Sequence, residues 1–436
     1  MRGAIDDDAP SVPVAPRGAL GRALALTVTS ALVALACATT PAPRVRTAPP
    51  AAAPSFNDAE GAPPAPRADA GERPEPAPPA APRPRAVTIG ASGDILCHIK
   101  VVRSAREQPA GWDHVFGRLR AIIGEDEVAL ANLETPLSER IPPETGEPPV
   151  LGAPGDVAEG LRNAGIDAVS VANNHSYDQT AAGLGDTLAA LAAAGVGAAG
   201  AAATLDEAPG PVLLERDGVR VAFLAFTERV NRGAAGAEGG RVWVARYDDA
   251  LARAALARAR AQADVVVVSI HWSHDYIQRP LAPQRSRARL LVDAGADVII
   301  GHGPHVLQEV ERLESPRGEA VVAYSLGNLV SNQGLRYFVG RRIPRDLHPA
   351  VVLPTVRDGA WLRTRVALDD DGRVRIERLE AVPLWTHNNY VDVASRRAAL
   401  LDVHVGPLTD ADEATRAERR PAIAAALGSA VTLLDE

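Results

Sequence analysis

The sequence predicts an α/β protein with an at least partly parallel sheet, and three observations support this. From Ala86 onward, short runs of β-branched residues alternate with segments rich in alanine and leucine. Such strand–helix alternation is typical of parallel sheets covered by helices. Late in the chain, Trp361–Leu368 and Arg373–Pro383 are separated only by the turn residues Asp369–Gly372, which predicts a hairpin. The folded part has about 350 residues, enough for one large core.

The predicted elements follow in order along this folded part. Strands are expected over the short β-branched runs, at Val87–Gly90, Val128–Ala131, Ala168–Ala172, Val219–Phe226, Val265–Ile270, Val298–Ile300 and Val321–Tyr324. Helices are expected between them, at Trp112–Ile123, Pro154–Ala164, Thr180–Ala194, Tyr247–Gln262 and Pro283–Ala294. One domain is thus predicted over residues 86–390, with residues 391–436 as a helical tail packed on it.

The first 37 residues have the features of an export signal. Arg17 and Arg22 precede an apolar run from Ala23 to Ala36, which is 14 residues long. A membrane-spanning helix needs roughly 20 residues, so the run fits a signal peptide better. It ends in small residues followed by Cys37, which resembles a bacterial lipoprotein signal whose cysteine is acylated. A soluble signal peptide that contains a cysteine is the alternative.

Residues 38–85 are predicted to be a disordered tether. Proline supplies 14 of the 45 residues from Pro41 to Arg85, and alanine fills much of the rest. Such a segment buries too little apolar surface to offset the entropy of ordering it. Behind an acylated Cys37 it would hold an exported domain near a membrane, facing the periplasm or the cell exterior. The other cysteine, Cys97, is then expected to be a buried free thiol.

Polar residues cluster where the predicted strands end. Six of these strands are followed by residue types that bind metals, namely Gly93-Asp94 with His98, Asn132-Leu133-Glu134, Asn173-Asn174-His175 with Asp178, His271-Trp272-Ser273-His274, Gly301-His302-Gly303-Pro304-His305 and Ser325-Leu326-Gly327-Asn328. Six of the ten histidines fall in these clusters. Each cluster alone has an ordinary explanation as a turn, a helix cap or core packing. Because ligands bind beyond the carboxyl ends of strands in open α/β sheets, six in succession predict one metal-centred site.

The residue types narrow the choice of metal and of partner. Carboxylates, amide oxygens and imidazoles without a thiolate cluster favour a hard or borderline divalent ion, and Mn, Zn, Fe and Mg remain open. The ligands are too numerous for a single tetrahedral ion, which favours two ions that clamp the oxygens of a displacement reaction. The net charge of −8 and the scattered basic residues argue against a nucleic-acid-binding groove.

Taken together, these motifs resemble those of the CapA family, which are poly-γ-glutamate capsule biosynthesis proteins. The likeness runs from about Val87 to Asn332 and includes each of the six clusters. CapA proteins have a calcineurin-like metallophosphoesterase fold. The resemblance therefore implies a four-layer α/β/β/α sandwich, with the site at one rim of two stacked sheets.

The resemblance also implies roles for the candidate residues. Asp94 and His305 would bind a first metal. A second metal would be bound by Asn174, His271 and His302. Glu134 would bridge the two metals. His175 would protonate a leaving oxygen or amine. Asp178 would either hold the His175 ring or cap the helix that begins near Thr180. His98 would be an additional ligand, and Asn328 would orient the substrate or a metal-bound water.

These features predict an exported, lipid-anchored protein that acts on poly-γ-glutamate or another cell-envelope polymer, by synthesis, transfer or hydrolysis. The expected partners are the polymer, a membrane reached through the lipid anchor, and membrane proteins of capsule assembly, but not nucleic acid. Two alternatives stay open, since a fold does not establish a function. One is a periplasmic metal-dependent phosphoesterase, and the other is a non-catalytic tethered scaffold or export accessory of capsule assembly.

Overall fold

The computed structural model describes residues 85–146, 148–232, 242–340, 342 and 346–435. Their helices and strands belong to one unit of the chain, residues 79–436. The predicted signal with Cys37 and the tether as far as residue 84 lie outside the described residues. Among the helices of the described part, none combines the length and apolar character needed to cross a membrane.

Strands and helices alternate along the chain largely as predicted. The strands are β1 Arg85–Ile95, β2 Val128–Leu133, β3 Ala168–Ser170, β4 Gly197–Ala199, β5 Ala201–Ala202, β6 Val212–Arg216, β7 Val219–Thr227, β8 Trp243–Val244, β9 Val265–His271, β10 Val298–His302, β11 Val310–Ser315, β12 Gly318–Ala323, β13 Asn328–Val330, β14 Asp358–Leu368, β15 Val374–Asn388, β16 Val403–Pro407 and β17 Thr432–Leu433. The helices are α1 Ile99–Glu107, α2 Trp112–Phe116, α3 Leu119–Ile123, α4 Val157–Ala164, α5 Thr180–Ala194, α6 Asp249–Arg260, α7 Ala282–Asp293, α8 Pro349–Val352, α9 Tyr390–Ala394 and α10 Glu413–Leu427. Each predicted strand overlaps an observed one.

The main sheet folds back on itself to form two facing halves. One half has the strand order β4-β3-β2-β1-β14-β15, and the other has the order β12-β10-β9-β7-β6. The halves are joined where Gly318 of β12 pairs with Val374 of β15. Strands β1 to β4 pair in parallel with one another, and so do β7, β9, β10 and β12. Parallel pairing brings the carboxyl ends of these strands to one rim.

Side chains of the second half alternate between two different cores. Val221 and Phe223 of β7 face the first half of the sheet and share its core. Leu224 and Phe226 point to the opposite side, where they pack with residues of α6 and α7 such as Leu256. Strand side chains alternate in this way because their period is two. With α1 to α5 packed on the first half, the predicted four-layer α/β/β/α sandwich is confirmed.

The end of the chain differs from the prediction of a helical tail over residues 391–436. The predicted hairpin is confirmed, since β14 and β15 pair antiparallel. The tail then adds β16 antiparallel to β15 and β17 parallel to it, in addition to the helices α9 and α10. In β16, Val403 and Val405 are buried, and His404 between them is partly exposed. This alternation of buried and exposed residues is typical of a strand, but it is too short to predict a strand from the sequence.

Two local features near the site also bear on the predictions. The segment Trp112–Ile123 forms two short helices, α2 and α3, because Gly117 and Arg118 interrupt the expected single helix. Cys97, two residues after β1, is buried and free, as predicted. Burial, assisted by the negative charge of Asp156, raises the pKa of its thiol far above the ordinary value.

Candidate metal centre

The candidate metal centre lies at the rim where parallel strands of both halves end. Asp94 is the register partner of Asn132 across β1 and β2. His271 is the register partner of His302 across β9 and β10. The fold thus brings together side chains that are far apart in the sequence, because each one ends or follows a strand of the same direction.

Two buried carboxyl groups and three imidazoles form the middle of the centre. Asp94, Glu134 and His271 each offer a ligand atom, and these atoms lie within 4.8 Å of one another. Asp94 Oδ1 is 3.3 Å from His302 Nδ1, and Asp94 Oδ2 is 3.2 Å from His305 Nδ1. Glu134 Oε1 is 3.7 Å from Nε2 of both His271 and His305. These five side chains are all buried.

Burial and neighbouring charges shift the pKa values of four side chains in this centre. Burial disfavours the Asp94 carboxylate, but the close imidazoles of His302 and His305 favour it more strongly and hold the pKa of Asp94 well below its ordinary value. For Glu134, burial prevails and raises the pKa well above the ordinary value. Burial also lowers the pKa of His271. For His305, the charges of Glu134 and Asp94 outweigh burial and raise the pKa to about 10.

Several buried polar atoms of the centre have no hydrogen-bond partner among the described residues. They are Oε1 and Oε2 of Glu134, Oδ1 of Asn174 and Nδ1 of His302. Buried polar atoms are normally paired, so a group of such atoms in one place indicates a ligand. Oxygen and imidazole ligands without thiolates are the set that hard and borderline divalent metals accept. The residues present therefore fit a divalent metal.

Asn328 lies behind His305 and holds its ring. Asn328 Oδ1 is 3.1 Å from His305 Nδ1, while Asn328 Nδ2 donates to the Val356 carbonyl oxygen at 2.8 Å and to Gln333 Oε1 at 3.0 Å. Both ends of the amide are thus used within the protein. This geometry supports a role of Asn328 in positioning His305, and its expected contact with substrate or a metal-bound water stays a prediction.

The loops around the centre require close backbone contacts. A Cβ on Gly93 would overlap the Gly327 carbonyl oxygen, so glycine lets β1 approach the segment that carries Asn328. Gly303 has φ +99° and donates its N–H to Asp94 Oδ2 at 3.1 Å. His305 itself has φ +58°, an uncommon conformation for a residue with a side chain. The loop therefore holds His305 against the carboxyl groups at some conformational cost.

His175 and Asp178 form a buried pair beside the centre. His175 Nδ1 lies 2.6 Å from Asp178 Oδ2. The same carboxylate oxygen accepts the Leu151 backbone N–H at 2.7 Å. The N-cap residue of α5 is Gln179, so of the two roles expected of Asp178 the geometry supports holding the ring. The other ring nitrogen, Nε2, is directed toward Asn231 Nδ2 at 3.4 Å.

A cleft of about 450 Å³ opens above these residues. Four of the predicted site residues line it, namely His98, Asn174, His175 and His305. His98 Nδ1 accepts the Asn332 backbone N–H at 3.2 Å, and burial lowers the pKa of His98 to about 3. His98 therefore lies at the cleft wall as a neutral side chain. The cleft is where a substrate would meet the centre.

Three polar residues at the site were not predicted. Asn132 Nδ2 donates to Asp94 Oδ1 at 2.8 Å, and its place beside Glu134 in the Asn-Leu-Glu motif was a readable signal. Arg229 and Asn231 line the cleft and follow β7. They could have been found by applying the strand-end argument to Val219–Phe226 as well.

The relationship of the chain to known proteins is consistent with this site. Residues 88–333 match the family model described as bacterial capsule synthesis protein PGA_cap. The chain belongs to this family. Each candidate metal-centre residue, from Asp94 to Asn328, falls inside the matched range.

Two relatives of this capsule synthesis family member are bacterial capsule proteins. It is 30% identical to the capsule biosynthesis protein CapA of Bacillus anthracis, over 57% of this chain and 60% of that protein. It is 29% identical to the PGA biosynthesis protein CapA of Bacillus subtilis, over 62% of this chain and 74% of that protein. The chain thus spans less than two thirds of the B. anthracis relative.

Among solved structures, a putative 5′-nucleotidase of Staphylococcus aureus in complex with alpha-ketoglutarate is similar to the chain. The TM-score is 0.42 at 12% sequence identity, and the alignment covers 68% of this chain and 54% of the nucleotidase.

Proposed function

We propose that this protein is an exported, lipid-anchored capsule protein whose metal centre acts on poly-γ-glutamate or a related anionic polymer. The observation that supports this most is the buried group of Asp94, Glu134, His271, His302 and His305, with unpaired Glu134 oxygens, in a member of the capsule synthesis family. A purely structural role would not require a buried carboxyl group whose two oxygens both lack a hydrogen-bond partner, as those of Glu134 do among the described residues.

The proposed centre holds one or two divalent ions, from among Mn, Zn, Fe and Mg. The ligands would be Asp94, Glu134, Asn174, His271, His302 and His305. When bound, such ions polarise a carbonyl or phosphoryl oxygen and make hydroxide available at neutral pH.

In this proposal, His175 transfers a proton during the reaction and Arg229 attracts the negative charge of the substrate. His175 is oriented by Asp178 and presents Nε2 at the cleft, where it transfers a proton to or from the reacting group. Arg229 also lines the cleft, and its Nη2 is paired with Asp275 Oδ1 at 2.7 Å. An arginine at the wall favours a substrate rich in carboxylates, as a γ-linked glutamate chain is.

The metal assignment is tested by replacing His302 and His305 together with alanine in the full chain. We expect the double variant to lose its divalent metal in elemental analysis, while His274→Ala, at an exposed histidine, retains it. Cells producing the double variant should also lose the capsule polymer or alter its length. Full metal content in a folded double variant would refute the assigned centre.

The nature of the substrate is tested separately. Purified protein with added manganese should cleave or transfer γ-linked glutamate chains in preference to a panel of phosphate mono- and diesters. Rapid turnover of the phosphate esters alone would instead favour the phosphoesterase alternative.

The anchor is tested through Cys37. The variant Cys37→Ser should move from the membrane fraction to the soluble exported fraction and should lose incorporation of a labelled fatty acid. Unchanged membrane association would contradict acylation at Cys37.

A further inference from the structure

Three of the four histidines outside the strand-end clusters meet around Asp402. His114 Nε2 lies 2.7 Å from Asp402 Oδ1, and His404 Nδ1 lies 2.6 Å from the same oxygen. His387 Nε2 is 3.8 Å from the other oxygen, Oδ2. We call these four residues the peripheral cluster. A chance meeting of three scarce side chains at one carboxylate is improbable in a chain with ten histidines.

Separate elements hold the peripheral cluster in place. The antiparallel register of β15 and β16 sets His387 directly opposite His404, and their rings stack with centroids 4.8 Å apart. His114 reaches over from α2 and meets the His404 ring edge-on at 5.4 Å. The Asp402 backbone N–H donates to Asn389 Oδ1 at 2.8 Å, which fixes the start of β16. The ligand positions are therefore set by the fold, as preorganised sites require.

We propose that His114, Asp402 and His404, with His387 beside them, form a second metal site for zinc or a similar borderline divalent ion. One ligand atom from each of the first three residues lies within 4.8 Å of the others. Zinc–nitrogen bonds of about 2.0 Å place tetrahedral ligand atoms roughly 3.3 Å apart, so the contacts of 2.7 and 2.6 Å at Asp402 Oδ1 need to lengthen by roughly 0.7 Å. The imidazole majority disfavours magnesium and calcium, which prefer oxygen ligands.

The peripheral cluster is open to solvent, unlike the buried centre. The exposed side-chain fraction is 31% for Asp402 and 45% for His387. His387 and His404 line a cleft of about 450 Å³. The charged residues that also line this cleft are Asp392, Asp410, Asp412 and Arg357. The excess of carboxylates favours entry of a cation. An ion held here would keep a coordination position toward the cleft, where water or a carboxylate of a polymer chain would bind.

The two clefts share none of their lining residues, so the second site is distinct from the candidate metal centre. They are neighbours nevertheless, since Asn388 Nδ2 of the peripheral cleft donates to Asn332 Oδ1 of the central cleft at 3.3 Å. The second site therefore goes beyond the proposed function and does not depend on it.

The test measures zinc binding with two of the six proposed central ligands, His302 and His305, removed. In the full chain carrying His302→Ala and His305→Ala, titration of the metal-free protein with zinc should show one binding event by calorimetry. Adding His404→Gln, which keeps a hydrogen-bonding group beside Asp402, should weaken this event at least tenfold. Adding His274→Ala at an exposed histidine should not change it.

Cobalt(II) gives an independent readout. Its visible absorption should show the intense bands of a four-coordinate site in the central double variant and lose them on Asp402→Asn, a change that preserves shape. Equal zinc affinity and equal cobalt spectra with and without the His404 and Asp402 changes would overturn the proposal. If His404→Gln proves unfolded by circular dichroism, Asp402→Asn and His387→Gln decide the outcome.

Discussion

The centre and the peripheral cluster contain the same residue types in opposite settings. In the centre, Asp94 and Glu134 are buried at the ends of parallel strands, and both Glu134 oxygens lack a hydrogen-bond partner among the described residues. In the peripheral cluster, Asp402 is partly exposed, and its Oδ1 has two imidazole partners, His114 and His404. Solvent and the imidazole partners of Asp402 therefore stabilise the peripheral residues without an ion, whereas the centre has buried ionisable groups that a cation would balance. The difference predicts that ion removal affects the centre far more strongly.

The largest effect is expected for Glu134→Gln, which tests whether the centre depends on a bound ion. We expect it to weaken metal binding at the centre by more than the 10- to 100-fold that loss of an outer partner typically costs. Without metal, the variant should be at least as stable as the parent, because burial already disfavours the charged Glu134. Zinc or manganese titration gives the affinity, and thermal melts with a chelator give the stability. An unchanged affinity would contradict the role of Glu134 as a ligand.

The next largest effect is expected at His175, which lies at the cleft and outside the ligand set. The change His175→Asn should lower polymer-directed activity about 100- to 10,000-fold, because a positioned proton donor contributes that much. The metal content should stay the same in elemental analysis. A fully normal capsule phenotype in this variant would favour the scaffold alternative.

A matched pair of asparagines sharpens the comparison between the two clusters. Asn328→Ala removes the partner of His305 and should weaken metal binding at the centre about 10- to 100-fold. Asn389→Ala removes the partner of the Asp402 backbone and should leave the central affinity unchanged. Calorimetric titration of both variants checks this. Equal losses in both would mean that the two clusters are one coupled unit.

The smallest expected effect concerns stability at the edge of the peripheral cleft. Asp412 caps α10 by accepting the Thr415 N–H at 2.9 Å and its hydroxyl at 2.7 Å. Replacing it by alanine should cost about 1 kcal/mol at pH 7 in chemical denaturation. The hydrogen bonds from Thr415 lower the pKa of Asp412 below its ordinary 3.8. Its stabilisation is thus present above pH 3.8 and is lost as the pH falls through the lowered pKa, so the difference between parent and variant should shrink in acid.

The strand and helix pattern was sufficient for an α/β fold whose strand ends form one rim, and the family resemblance supplied the four layers. Buried β-branched runs such as Val265–Ile270 predict strands because packing and intrinsic preference agree there, and parallel strands bring their ends to one rim. The peripheral cluster could not be predicted in this way. His114 and Asp402 are 288 positions apart, and their meeting depends on the register of β16, a strand of five residues. The contact of Asn328 with His305 was also not predicted, because tertiary contacts, not the motif, set the direction of a side chain.

The buried thiol described at the end of β1 provides a natural reporter of how this rim opens. The Cys97 backbone N–H donates to Thr135 Oγ1 at 2.9 Å, so the residues after Asp94 and Glu134 are tied together at this point. Cys97 is the sole cysteine after residue 37, and its burial keeps it unreactive in the closed fold. In a Cys37→Ser background, the rate of maleimide alkylation would follow transient exposure of the strand ends. Alkylation should be slower when divalent ions are bound. The ratio of the alkylation rates without and with ions then gives the free energy by which bound ions stabilise the closed rim.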